Sequence, residues 1–497
     1  MKMNYSYNSQ KTSYIIVIIS NNNLLLPIEY VFNFFSSIHE INYKIIRFND
    51  LDKEQYDPKR AVIIGYGSKR WSVGKYRYIH IYPSNLFGEN YLKKQSLPRL
   101  PIKRYSGLPI IYYGKGKLRN FIQYSKNRIE TNIDIIASIF FMITRYEEVI
   151  LDKRDKYDRF LATDSLAYKG NFLSRPIVDE YINLLSSWIS SLKVNIKRKK
   201  HWQNRKFAAC LTHDVDAVRK YNWYPPWRKI LSLLIKHRDI RKTLVNIKDY
   251  IKAKIGRDPY DTFKYIIDLE ERHGFKSSFY FLKEKDVERT QEHFLRNHNF
   301  ISIIHYIKKR HFETGLHSNL NSYNNFKIIE RAKQRLEKIL KEGISGCRQH
   351  FLRFKVPDTW QIQEKVGFLY DTSLAFADHI GFRCGTCFPF QPFDIIKNRK
   401  LDIWELPLIV MDRTLQSPDY QGLSPEEAKQ EIIKFINITK NIGGVFTILW
   451  HNSSFDEVEG WLGWRKVYED SLDYLEKHQP YINSAKTIID RWRTNKS

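Results

Sequence analysis

The ten residues 207–216, FAACLTHDVD, decide the architecture of most of this chain. An apolar run that ends in polar residues reads as a strand covered on both faces, with its chemistry gathered at the C-terminal end. Side chains alternate along a strand, so Asp214 and Asp216 share one face. His213 and Val215 share the other, and the apolar Val215 marks that face as core. Two carboxylates side by side repel, and one pKa rises unless a cation relieves them. A bare Asp-x-Asp after a strand reads more readily as a pair of turn or helix-capping residues.

The same rhythm continues downstream. KSSFYFL (276–282), HFETGLHS (311–318), SGCRQHFLRF (345–354), DIWELPLIV (402–410) and GVFTILWHN (444–452) read as strands. DTFKYIIDLEERHG (261–274) and YNNFKIIERAKQRLEKILKEG (323–343) show helical spacing between them. Strands alternating with amphipathic helices predict a mostly parallel sheet, and in such sheets active sites form at the C-terminal strand ends. Those ends carry His317, then Arg348 with His350 and Arg353, then His451. An arginine beside a carboxylate pair holds one Asp ionised and oriented, and a strand-end histidine suits a general acid. Asp, Asp, His, Arg and His at four strand ends make one metal-hydrolase constellation.

Upstream, YIIVIIS (14–20), YKIIRF (43–48), AVIIGYG (61–67), YIHIYPS (78–84) and PIIYYG (109–114) read as strands. LPIEYVFNFFSSI (26–38), NIDIIASIFFMITRYEEVI (132–150) and PIVDEYINLLSSWI (176–189) show helical spacing, again an α/β pattern. KVNIKRKKHWQNRK follows, with seven basic residues between Lys193 and Lys206, and reads as a solvated linker. The chain therefore divides into an N-terminal α/β domain of unknown role over residues 1–195 and a second α/β domain over 196–497.

Lys and Arg outnumber Asp and Glu by 82 to 54, which suits an anionic partner or simply solvated faces. No nucleic-acid-binding signature accompanies the charge, so no specific nucleic acid is expected. Four cysteines in 497 residues are no disulfide scaffold, and Cys384-x-x-Cys387 lacks the second pair that a structural zinc site needs. The apolar run near the N-terminus is short and lacks a cleavage site, and no run approaches the roughly 18 residues that span a bilayer. A cytoplasmic protein is the expectation. WYPPWRKILSLLIKHRDIRK (223–242) could lie on an anionic membrane surface as a peripheral contact, or pack on its own domain.

The order of these motifs resembles the polysaccharide deacetylase family, also called the NodB homology domain or carbohydrate esterase family four. The resemblance spans about residues 207–492. It rests on THDVD in the place of the family's TFDD, on KSSFYFL, on Glu313-x-x-x-His317, on Arg348 and on LWHN. It implies a distorted (β/α) barrel that removes N- or O-acetyl groups from an acetylated glycan or sugar precursor, using a divalent metal, zinc by preference. Asp214 matches the family's catalytic base, Asp216 and His317 its metal ligands, Arg348 the residue that steadies the base, and His451 the catalytic acid. Two departures stand out. THDVD inserts a residue between the carboxylates, and Asn321 stands where the family has its second metal-binding histidine. Asn321 through its carbonyl oxygen, His350, His213 or water could complete the ligand set. An inactive glycan-binding relative is the alternative. Trp404 and Trp450 are candidates for sugar stacking, against ordinary core packing.

Overall fold

The computed structural model describes residues 13–20, 24–53, 56–221, 240–256, 258–282, 298–457 and 460–494. Most of the candidate membrane-surface segment at 223–242 lies outside them.

The first sheet has six strands in the order Ile41–Arg47, Ser13–Ile19, Ala61–Tyr66, Arg77–Ile81, Arg128–Thr131, Ile122–Ser125. Neighbours are parallel except for the last pair, an antiparallel hairpin. Ile15–Ile18 and Ala61–Ile64 are fully buried, as expected of parallel strands covered on both faces. The helices Leu25–Ile38, Ile135–Ile143 and Ile177–Ser191 pack against one another beside it. The long helical pattern at 132–150 breaks in two, because Arg145 adopts a left-handed backbone (φ 53°) between Ile135–Ile143 and Tyr146–Ile150.

The second sheet is parallel throughout. Its order is Trp404–Glu405, Tyr370–Asp371, Gly346–Gln349, Glu313–Ser318, Ser278–Leu282, Ala208–Val215, Val445–Leu449, Val410–Met411, with Tyr481–Ile482 also pairing on Ala208–Val215. The stretch expected as one strand at 402–410 is two short ones, and they lie at opposite ends of this order. Leu406 N–H donates to Asp371 O on one side, and Ile409 N–H donates to Thr447 O on the other. Pro407 sits at the break, where a residue without an N–H removes one ladder bond. One sequence stretch thus joins both edges of a curled sheet, which gives the distorted (β/α) barrel.

The basic run at 193–206 is tied down rather than free. Glu40 N–H donates to Lys197 O, Lys199 N–H donates to Ile38 O, and Trp202 stacks near Trp492 and Tyr481. One continuous apolar cluster runs from Ile15 in the first sheet to Trp492 near the C-terminus. Among the described residues, no helix is long and apolar enough to cross a membrane.

Candidate metal-hydrolase site

Every functional side chain anticipated at a strand end, Asn321 and Arg353 apart, lies at one mouth of the curled sheet. Asp214 ends Ala208–Val215 and Asp216 follows it, while His317 lies near the end of Glu313–Ser318. Arg348 and His350 come from the end of Gly346–Gln349, and His451 follows Val445–Leu449. Asp214, Asp216, His317, His350 and His451 line a cleft of about 790 Å³, with Arg348 buried behind them.

The geometry is tight. His317 Nε2 lies 3.2 Å from Asp216 Oδ1 and 3.7 Å from Asp214 Oδ2. His350 Nε2 lies 3.6 Å from the same Asp216 oxygen. One ligand atom from each of Asp216, His317 and His350 falls within 4.8 Å of the others. His317 Nδ1 is 3.0 Å from the Arg348 carbonyl oxygen, so Nδ1 carries the proton and donates, leaving the Nε2 lone pair to face the carboxylates. Asp216 Oδ1 and Asp214 Oδ1 are buried and find no hydrogen-bond partner among the described residues. Buried oxygens without donors, opposite two imidazole nitrogens, fit a divalent cation.

Burial alone would raise the Asp216 pKa. The adjoining His317 and the charge of His451 outweigh it, holding the carboxyl well below the usual range. His350 moves the other way: burial, then the neighbouring His317, lowers it to about 3. A neutral imidazole beside an ionised carboxylate is the protonation state in which both bind metal.

Arg348 is fully buried, with Nη1 3.8 Å from Asp214 Oδ1 and Nη2 donating to Thr212 Oγ1 at 3.0 Å. His451 Nε2 lies 4.0 Å from Asp216 Oδ2. Its Nδ1 is 2.7 Å from Asp412 Oδ1, and its backbone N–H donates to Asp412 Oδ2 at 2.7 Å. Burial lowers the His451 pKa, but Asp412, with the two site aspartates behind it, raises it on balance to about 10. Asp412 is held below its usual value by the same contact, against its burial.

Asp412 was not anticipated from sequence. The signal was present, because MDRT follows the apolar stretch 402–410 as THDVD follows another strand. Asn321 stands outside the cluster: its Oδ1 accepts from Arg353 Nη1 at 3.3 Å. His350 occupies the third position instead, at a sequence separation that an i,i+4 motif does not reveal. His213 is core, with Nδ1 on Trp450 O and Nε2 on Glu270 Oε1, both at 2.8 Å. Trp404 and Trp450 are buried and neither lines the cleft, whereas Trp461 does.

Residues 15–194 match the model of a family of unknown function, DUF7033. No curated protein matches the chain. Nine solved chains match. One, from Mycobacterium smegmatis, is described as a polysaccharide deacetylase; it is 17% identical over 59% of this chain and 93% of its own, with a TM-score of 0.40. Wild-type BA3943, a CE4 family pseudoenzyme from Bacillus anthracis, is 10% identical over 58% of this chain and 66% of its own, with a TM-score of 0.30. Agd3, described as a novel carbohydrate deacetylase, is 8% identical over 97% of this chain and 87% of its own, with a TM-score of 0.33.

Proposed function

We propose that the cleft is the active site of a metal-dependent hydrolase that removes acetyl groups, N-acetyl foremost, from a glycan or glycan precursor of surface-polysaccharide metabolism. One observation carries this reading. Three ligand atoms of Asp216, His317 and His350 converge within 4.8 Å, with Asp214 beside them and the His451–Asp412 pair opening into the same cleft.

Asp216, His317 and His350 would hold the cation, and one carboxylate with two imidazoles suits zinc. When bound, the cation supplies Lewis acidity toward the acetyl carbonyl and toward water. Asp214 serves as the base that takes the attacking water's proton. Arg348 keeps that carboxylate ionised and aimed. His451 is protonated at neutral pH, because Asp412 holds its Nδ1–H, and it delivers a proton to the leaving nitrogen. The products are acetate and a free amine. The alternative of an inactive glycan-binding protein drew its support from Asn321, and His350 supplies a nitrogen where that ligand was missed.

Three expectations follow for the purified full chain. Acetate release from an array of N-acetylated sugars should require a divalent metal and stop with a chelator; metal-loaded protein inert on every member would overturn the proposal. His350→Ala should lose zinc as severely as His317→Ala, by more than the roughly 10–100-fold that an outer-sphere partner costs. Asn321→Ala should keep its zinc, and the reverse pattern in metal titration would reassign the third ligand. Asp412→Asn removes the charge that does most to raise His451. The alkaline limb of the kcat profile, where His451 loses its proton, should therefore move to lower pH; an unmoved limb would exclude His451 as the acid.

A further inference from the structure

The cleft is not built by the second sheet alone. Asp155, Tyr157, Arg159 and Leu161, from the segment that follows helix Tyr146–Ile150 of the first region, form part of its wall. This segment is organised around one carboxylate. Asp155 Oδ1 accepts the backbone N–H of Tyr157 and of Arg159, both at 2.9 Å. Asp155 Oδ2 receives Arg159 Nε at 2.9 Å and Nη2 at 2.6 Å, a bidentate pair. The Arg159 guanidinium then reaches across, donating to Phe351 O at 3.2 Å and to Tyr420 Oη at 3.1 Å. Arg159 is only 5% exposed, so the clamp is shielded from solvent competition.

What the clamp holds is unusual. Phe351 follows the metal-site residue His350 and has a left-handed backbone (φ 61°), a costly conformation for a bulky side chain. It is also 41% exposed, so its ring is not there to fill a core. The ring packs on Tyr157, with centroids 5.0 Å apart, and on His350, with centroids 4.6 Å apart. The Tyr157 ring also carries the Arg159 guanidinium, 4.9 Å from its centroid, and the Lys156 ammonium at 5.1 Å. A strained, exposed aromatic beside a half-buried tyrosine, at the mouth of a polar cleft, suits the apolar face of a pyranose ring.

We infer that Tyr157 and Phe351 form a sugar-binding subsite next to the catalytic centre, so that the first region of the chain helps select the glycan hydrolysed by the second. The inference rests on the reading of the cleft as a glycan site. The subsite takes the sugar adjoining the acetylated one, because the Phe351 ring meets the site at His350, with centroids 4.6 Å apart. Arg159 is the positioning residue that fixes the Phe351 backbone against the tyrosine.

The test measures binding and turnover separately on the zinc-loaded full chain. An array of N- and O-acetylated oligosaccharides identifies the tightest ligand, and calorimetry then compares variants on it. Tyr157→Ala should weaken oligosaccharide binding and raise KM by about 3- to 10-fold, the worth of one aromatic stack, with a smaller effect on the matching single sugar. Tyr157→Phe should restore binding. Tyr157→Leu, which keeps the bulk and loses the π face, should behave as the alanine variant and replaces it if that variant melts early. Unchanged oligosaccharide affinity in both, or a wild-type chain that binds no sugar in the array, overturns the inference. Binding that depends on Tyr157 without any acetate release would instead sink the hydrolase reading and leave the subsite standing. Acetate release with a KM indifferent to Tyr157 does the opposite.

Discussion

Asp214→Asn is expected to lower kcat by roughly 10²- to 10⁴-fold, the usual contribution of a positioned base, while zinc content stays near that of the unmutated protein. The asymmetry comes from geometry. Asp214 is 1% exposed and stands next to the three convergent ligand atoms without being one of them. Its Oδ1 has no hydrogen-bond donor among the described residues, so a lone pair is available to accept a proton. The amide keeps the shape and loses the basicity. Asp216→Ala makes the contrast, because it removes a ligand and should lose metal together with rate. Arg348 lies 3.8 Å from Asp214 and is buried, so neutralising its partner also costs stability, and a melting curve belongs beside the kinetics. Acetate release and metal analysis on the same preparations decide the matter. A near-normal rate in Asp214→Asn removes the residue from its role.

The second large effect is on stability. Glu148→Ala should lower the unfolding free energy by about 3–5 kcal/mol, because it leaves the buried Arg383 guanidinium without a carboxylate and Arg145 with Glu147 alone. Arg383 donates to both Glu148 oxygens, at 2.9 and 2.6 Å, and Arg145 Nε donates to Oε1 at 2.7 Å. All three side chains are at most 2% exposed. Arg145 also reaches Glu147 and the Arg383 carbonyl oxygen. The Glu148 pKa points the same way. Burial would raise it, but Arg383 and then Arg145 bring it from 4.5 down to about 2. A depressed carboxyl contributes stability that is full above its unfolded pKa and lost as pH falls toward about 2. The exposed pair Lys153–Asp164, at 3.2 Å, is the control, and Lys153→Ala should cost under about 1 kcal/mol. Equal urea midpoints for Glu148→Ala and the unmutated chain would show that the network carries no load.

The barrel was legible in FAACLTHDVD and the strands after it because a doubly covered strand writes its burial directly into sequence. The helices Phe263–Arg272 and Phe326–Leu340 fell where their apolar spacing put them, since that period is local. The division of 402–410 was not legible. Trp404–Glu405 and Val410–Met411 are equally apolar, and which edge each half joins depends on how the sheet curls. The Ile122–Ser125 hairpin strand escaped notice because three of its four residues are exposed and carry no apolar pattern.

The site divides along the same line. Asp214, Asp216, His317, Arg348 and His451 could be picked from sequence because they close four apolar runs, and a parallel sheet brings such ends to one mouth. Their company could not. Among the described residues, His350 rather than Asn321 completes the cluster, because a strained turn after Gly346–Gln349 swings the imidazole inward while Arg353 draws the asparagine outward. The Asp412 partner of His451 is 39 residues away in the chain, Glu148 reaches Arg383 over 235, and Arg159 reaches Phe351 over 192. Sequence determined the alternation of strand and helix and the ends where chemistry could gather, since both follow from neighbours a few residues apart. Only the folded chain decided which distant groups meet, because those contacts are fixed by the curl of one sheet and the docking of another region against it.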